Sequence, residues 1–205
     1  MKSVFVSFLL SLFAVNTIAQ ESMRVHFSGK SPDITNFIDA LLSNGEEMGE
    51  AQSLFKSYWT IYKKKQELPP AVKIKIDKPN GYVSFNHYYA EDRSNLFIET
   101  CYWNCADGRH KVIAQVIATS RDGRPLMGQY DGLTFYTYDS KTRQMKWTPT
   151  PDLCSEEFQE YGLTDGSVIR LPQAGKDISL KLNTRNGMRN FKLKWTGSRF
   201  LFVKN

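Results

Sequence analysis

The spacing of hydrophobic residues changes period near residue 70. Before it, in "SPDITNFIDALLSNG", Ile34, Phe37, Ile38, Leu41 and Leu42 recur at three- and four-residue steps and lay one apolar stripe along a helix. Ser31 is placed to cap that helix, with Pro32 in its first turn, Asp33 against the dipole and Asn44-Gly45 at its close. A second helix is predicted from about Glu46 to Lys65. Glu46, Glu47 and Glu50 open it and Lys63, Lys64 and Lys65 end it, the polarity a macrodipole favours. Met48, Ala51, Phe55, Tyr58 and Tyr62 form its stripe, and "ELPP" stops it.

After the break the alternation is of period two. "VKIKID", "YVSFNHYY", "NLFIETCYWNC", "KVIAQVIATS", "LTFYTY", "QMKW", "SVIRL", "ISLKL", "NFKLKW" and "RFLFVK" read as strands separated by turn residues, with a short helical piece over "PDLCSEEFQEY". Helices first and strands after predict an α+β protein: an N-terminal helical pair on a mainly antiparallel, twisted sheet, a meander or a half-barrel.

Three hairpins can be registered from their turns. Asp107-Gly108 sets Cys105 against His110, Trp103 against Val112, Cys101 against Ala114 and Phe97 against Ala118. Leu96, Ile98, Thr100, Tyr102, Ile113, Gln115 and Ile117 take the other side. Both sides are largely apolar, so this hairpin is expected to be covered on both faces. Centring a turn on Asn186-Gly187 pairs Leu182 with Phe191, Leu180 with Leu193 and Ile178 with Trp195; one on Gly197-Ser198 pairs Trp195 with Phe200 and Leu193 with Phe202.

The N-terminus adds a compartment. Lys2, the apolar run Val4–Val15, and Thr17 and Ala19 before Gln20 make a secretory leader over residues 1–19, cleaved before Gln20. No cysteine stands near that site to carry a lipid, and no later segment is long and apolar enough to span a bilayer. Residues 20–205 then form a single domain, its helical part about 31–66 and its β part about 71–205. At 41% hydrophobic and 13% aromatic the chain can bury a core. The formal charge of +6, one unit of which leaves with Lys2, selects no partner.

The stretch "CYWNCADGRH" is the densest in chemistry. Cys101 and Cys105 share a strand face four residues apart, ~13 Å between Cα atoms, beyond the ~7 Å a disulfide spans. Cys154 can reach only one of them, so at least one thiol is free. His110, with its Cβ ~5 Å from that of Cys105, could deprotonate it, but no orienting group or oxyanion pocket is marked. A C-x₃-C with one His lacks the paired spacing of a zinc site, and no cofactor motif occurs. Buried thiols with Trp103 as core is the simpler reading. Glu99 stands on the same apolar face and needs a cationic partner, an exposed edge or a function.

From Asp165 onward nine Lys/Arg face two Asp. The Asn186-Gly187 register sets Lys181 against Lys192, with Arg189 and Lys194 on the same outward side. Such a repulsive cluster borrows an acidic neighbour, serves an anionic partner or, as the default, stays a solvated basic face screened by salt. Nucleic acid is disfavoured by export and by the absence of a recognition motif. Anionic glycans, lipid headgroups or an envelope protein fit better.

"CYWNCADGRHKVIA", "YDGLTFYTYD" and "KLKWTGSRF", together with a leader ending in "AQ", resemble secreted proteins of gut Bacteroidetes to which no activity is attached. The resemblance covers motif-sized pieces of the β half. It implies an envelope or extracellular setting and carries over no catalytic residue. The expectation is an exported, non-catalytic binding domain using Lys181, Arg189, Lys192 and Lys194. The alternative is a small exported hydrolase or transferase using Cys105 and His110 or Glu99. A pocket beside Cys105, His110 or Glu99 would discriminate between the two.

Overall fold

The computed structural model describes residues 22–43, 49–126, 132–155 and 166–204. The expected leader, Asn44-Gly45, the opening residues Glu46, Glu47 and Met48, and residues 156–165 lie outside them. The described residues form three layers: two helices, an eight-stranded antiparallel sheet, and a four-stranded antiparallel sheet. No helix among them is long and apolar enough to cross a membrane.

Helix α1 (Ile34–Ser43) buries Ile34, Phe37, Ile38, Leu41 and Leu42 as the periodicity predicts. Its cap is Asp33 rather than Ser31. The Asp33 carboxylate accepts from the amides of Thr35 and Asn36 at 2.8 and 3.4 Å, and the Asn36 side chain accepts from the Asp33 amide at 2.9 Å. That reciprocal box outcompetes a serine hydroxyl and moves Pro32 outside the helix. Helix α2 (Glu50–Lys63) starts later than predicted and buries Phe55 and Trp59, while Tyr62 is exposed. The stripe turns toward Trp59 because its indole N–H donates to Asp39 at 2.7 Å.

The large sheet comprises β1 (Ser22–Arg24), β2 (Val72–Asp77), β3 (Tyr82–Tyr89), β4 (Ser94–Asn104), β5 (His110–Arg121), β6 (Arg124–Leu126), β7 (Gly132–Asp139) and β8 (Gln144–Thr148). Its order is β1-β8-β7-β5-β4-β3-β2, with β6 paired to β5 off that path. A short helix α3 (Thr150–Leu153) leads on to β9 (Val168–Arg170), β10 (Ile178–Thr184), β11 (Gly187–Trp195) and β12 (Phe200–Lys204), which form the second sheet in the order β12-β11-β10-β9. Neither sheet closes into a barrel.

The central β4–β5 hairpin has the predicted register, Cys101 opposite Ala114 and Trp103 opposite Val112. Both its faces are covered. Ile98 packs with the helices, while Cys101, Trp103, Val112 and Ala114 join the second sheet in one core. On the helix side an amide pair ties the layers: half-buried Gln52 donates to buried Gln115 at 2.9 Å, and Gln115 to Thr100 at 3.3 Å. On the other side the Trp103 indole donates to the Lys176 carbonyl at 2.8 Å and meets Phe200 edge-on at 5.1 Å. One glycine is sterically required. Gly81 has φ +64°, and a Cβ there would come within 2.7 Å of the Tyr102 ring.

The Gly197-Ser198 register holds, with Trp195 opposite Phe200 and Leu193 opposite Phe202. The Asn186-Gly187 register is shifted by two residues: Ile178 pairs with Leu193, Leu180 with Phe191 and Leu182 with Arg189. The turn sits on Arg185-Asn186, and Gly187, at φ +88°, follows it as the left-handed residue of a bulge-type hairpin. A two-residue shift leaves the apolar face inward, so the hydrophobic pattern could not detect it.

Candidate functional site

That shift dissolves the predicted lysine pair. Lys181 lies opposite Asn190, and Lys192 opposite Ser179. Strand alternation separates Arg189 from the others: it shares the face of Phe191 and Leu193 and is exposed beyond the core, where Leu182 is its partner. Lys181, Lys192 and Lys194 remain exposed on the outer face of the second sheet, near exposed Leu201 and Val203.

Glu99 points into the core between the sheets and is only 8% exposed. It is fully engaged there. One carboxylate oxygen accepts from the Tyr82 hydroxyl at 2.9 Å and lies 3.5 Å from Arg170; the other accepts from the Leu171 amide at 2.9 Å. Burial and the neighbouring carboxylate push the Tyr82 hydroxyl well above its ordinary pKa. Arg170 also stacks on Phe97 at 4.9 Å and borders a mostly apolar hollow of about 270 Å³ between the sheets.

The three cysteines are free. Cys101 and Cys154 are buried in the inter-sheet core, and burial raises both thiols, Cys154 to about 12. Cys105 is half-buried at the hairpin end, where its amide donates to the His110 carbonyl at 3.0 Å. Its thiol is raised by burial and then by the charge of Asp107, the opposite of an activated nucleophile. The His110 ring is held through Nδ1 by Asp107 at 2.5 Å. The same carboxylate accepts from the Arg109 and His110 amides, both at 2.9 Å, which brings Asp107 down to about 2.

A cleft of about 380 Å³ opens at this end of the molecule, and Cys105 and His110 are in its wall. Three segments converge on it: the stretch from Phe27 to Pro32 leading into α1, the β4–β5 turn, and the β7–β8 turn. Lys30, Arg109, His110, Lys111 and Arg143 line it, and no carboxylate does among the described residues. Arg109 is neutralised by a two-pronged pair with Asp139 at 2.8 and 2.5 Å. Lys30, Lys111 and Arg143 have no carboxylate partner among the described residues. Lys111 is held by the Asn104 side chain and the Tyr102 ring, 4.8 Å away, and burial lowers its pKa. Arg143 lies over the Phe27 ring at 4.7 Å, and its backbone takes φ +56° to close the turn. On the sheet Tyr138 sits directly opposite Lys111. Tyr138 is 0% exposed, and its buried hydroxyl has no hydrogen-bond partner among the described residues.

Two of these wall residues, Cys105 and His110, are legible in the sequence; the cations and Tyr138 are not. Their convergence depends on β5 pairing with β7 and on the pre-helix segment crossing the turn, neither of which has a local signal. Compared with known proteins, the chain matches no family model, no curated protein and no solved structure.

Proposed function

We propose that this chain is an exported, non-catalytic binding domain of the cell envelope that captures an anionic group of a glycan or envelope partner in the cleft at the β4–β5 turn. The observation that carries the reading is three cations, Lys30, Lys111 and Arg143, that have no carboxylate partner among the described residues, around a cleft whose described wall holds no carboxylate. Positive charge gathered in a partly enclosed site concentrates its field and attracts an anion more strongly than the same charges on an open face. The outer lysines of the second sheet lie on such an open face and are the weaker candidates. Titration calorimetry with a sulfated disaccharide at low and high salt tests the proposal. The double variant Lys111→Gln/Arg143→Gln is expected to lose about tenfold or more in affinity, as charge-assisted bonds do when removed. Wild-type affinity in that variant would defeat the reading. Fractionation of the producing cells checks the export.

A small exported hydrolase or transferase at the same cleft is the second reading, favoured by Cys105 and His110 standing together in its wall. The raised thiol argues against it. Turnover that disappears in Cys105→Ser while anion binding persists would select it.

A further inference from the structure

Tyr138 is an anomaly in a well-satisfied protein. Buried hydroxyls nearly always have a partner, because an unpaired one sacrifices hydrogen bonds to water and regains nothing. Only two buried side-chain atoms among the described residues lack a partner, the Tyr138 hydroxyl and His87 Nδ1. Of those two residues, only Tyr138 lines the cleft. Its ring is fixed: Phe37 packs edge-on at 5.2 Å, and Met145 and Met23 share its cluster. That packing seats the ring against α1, with the residue in the wall of the cleft.

Its surroundings define what would complete it. Lys111 is its cross-strand neighbour, which puts the two Cβ atoms ~5 Å apart on one face. Burial raises the hydroxyl's pKa, the charge of Arg143 opposes that shift, and the more weakly acting Asp139 carboxylate adds to it. A hydroxyl in the wall of a cation-lined cleft can donate to an anionic oxygen, and no carboxylate accepts from it among the described residues. Walls of different character flank these groups. Phe27 and Pro32 offer apolar surface, while Ser31, Asn104 and Ser140 offer hydroxyl and amide groups at the rim. That mixture suits a ring that is apolar on its faces and hydroxylated at its edge, and the volume lies at the small end of ligand pockets.

Resting on the reading of the cleft as an anion site, we infer that its ligand is a single sugar unit bearing one oxyanion group, and that the Tyr138 hydroxyl is the specificity-determining donor to that group. The hydroxyl is left unpaired in the free protein and is paired on binding. A group kept for a ligand and not for the fold has a signature: removing it weakens binding without weakening the protein.

Tyr138→Phe provides the test, because it deletes the hydroxyl and leaves the ring packing. The probes are glucuronate, galactose 6-sulfate and glucose 6-phosphate, with uncharged galactose and inorganic sulfate and phosphate as controls, measured by calorimetry alongside thermal melts. At least one charged sugar should bind wild type more tightly than either control type. Tyr138→Phe should lose about tenfold for that sugar, the scale of one directed hydrogen bond, while its melting temperature stays level or rises. Which of the three probes binds separates a carboxylate from a sulfate or phosphate ester. If Tyr138→Phe binds like wild type while Lys111→Gln/Arg143→Gln does not bind, the cleft is an anion site and the inference about Tyr138 fails. If the inorganic ions bind as tightly as the sugars, the sugar assignment fails. A Tyr138→Phe protein that melts lower or does not fold shows a hydroxyl bonded for stability and overturns the inference. If wild type binds none of the charged probes, this inference fails; if the sulfated disaccharide also fails to bind, the cleft reading falls with it.

Discussion

Glu99 and Tyr138 are both buried polar side chains on the large sheet, one facing the second sheet and one facing the helices, and they end in opposite states. Glu99 gathers a phenol, a main-chain amide and a guanidinium; the Tyr138 hydroxyl gathers no partner among the described residues. From the sequence the carboxylate is the conspicuous residue and the tyrosine one more aromatic in "LTFYTY". The structure reverses their interest. A buried charge draws attention because it is costly, yet that cost is why folding surrounds it with donors, which makes it scaffold. An unpaired hydroxyl costs less and can be left open for something else to fill.

The sharpest way to break the comparison is to remove the satisfied member. Glu99→Ala leaves the Tyr82 hydroxyl and the Leu171 amide without their acceptor. At roughly 1–3 kcal/mol for each buried donor, a loss of about 3 kcal/mol is expected. Arg170 adds little, because its side chain is about half exposed and can turn to water. Urea denaturation followed by tryptophan fluorescence measures it. A loss below about 1 kcal/mol would mean that water replaces the carboxylate, and Glu99 would then be as open to a functional role as Tyr138.

A smaller effect separates the two ends of the β4–β5 hairpin by pH. Asp107 organises the turn beside the cleft, and its donors depress it to about 2 from an ordinary 3.8. A depressed carboxylate contributes stability that is present above the unfolded value and vanishes as pH falls through the folded one. The stability gap between wild type and Asp107→Ala should therefore be constant above about pH 4 and close toward about pH 2. Differences between the two proteins cancel the other acids, Asp139 among them, which Arg109 holds far below its usual range. A gap that persists unchanged at pH 2 would mean that the turn depends on backbone conformation and not on the carboxylate.

The same contrast explains how far the sequence could be read. Two of the three turn signals fixed their hairpins, so Trp103 against Val112 and Trp195 against Phe200 were legible, while Asn186-Gly187 misplaced its hairpin by two residues. The helix faces were legible for the same reason, except where a tertiary bond from Trp59 to Asp39 rotated one stripe. Long-range pairings were not. Nothing in "RPL" or "SMR" announces that β6 folds back on β5 or that β1 closes the edge beside β8. Division of the strands into two stacked sheets likewise follows from which apolar faces meet. The cleft belongs to that second kind of information. Arg143 had one local hint, since it occupies a left-handed position at the end of a hairpin turn, where Gly or Asn is the usual occupant. Lys65, Arg93 and Asp122 are left-handed as well, so the hint alone does not single out a site.

The smallest predicted effect concerns the second sheet and returns to the register. Had Lys181 faced Lys192, replacing both with Gln would have relieved a cross-strand repulsion and raised stability. In the structure Lys181 lies between Asn190 and Val168, and Lys192 lies between Ser179 and Val203. Both are exposed and neither has a carboxylate partner among the described residues, so their charges are screened by salt. Lys181→Gln/Lys192→Gln should accordingly shift stability by less than about 0.5 kcal/mol in either direction. Affinity for a charged sugar at moderate salt should also stay within about twofold, because these lysines lie outside the wall of the cleft. A stabilisation of about 1 kcal/mol would restore the lysine-on-lysine register and place the turn on Asn186-Gly187. A large loss of anion binding with stability unchanged would move the ligand from the enclosed cleft to the open face of the second sheet, and Tyr138 would then need another explanation for its unpaired hydroxyl.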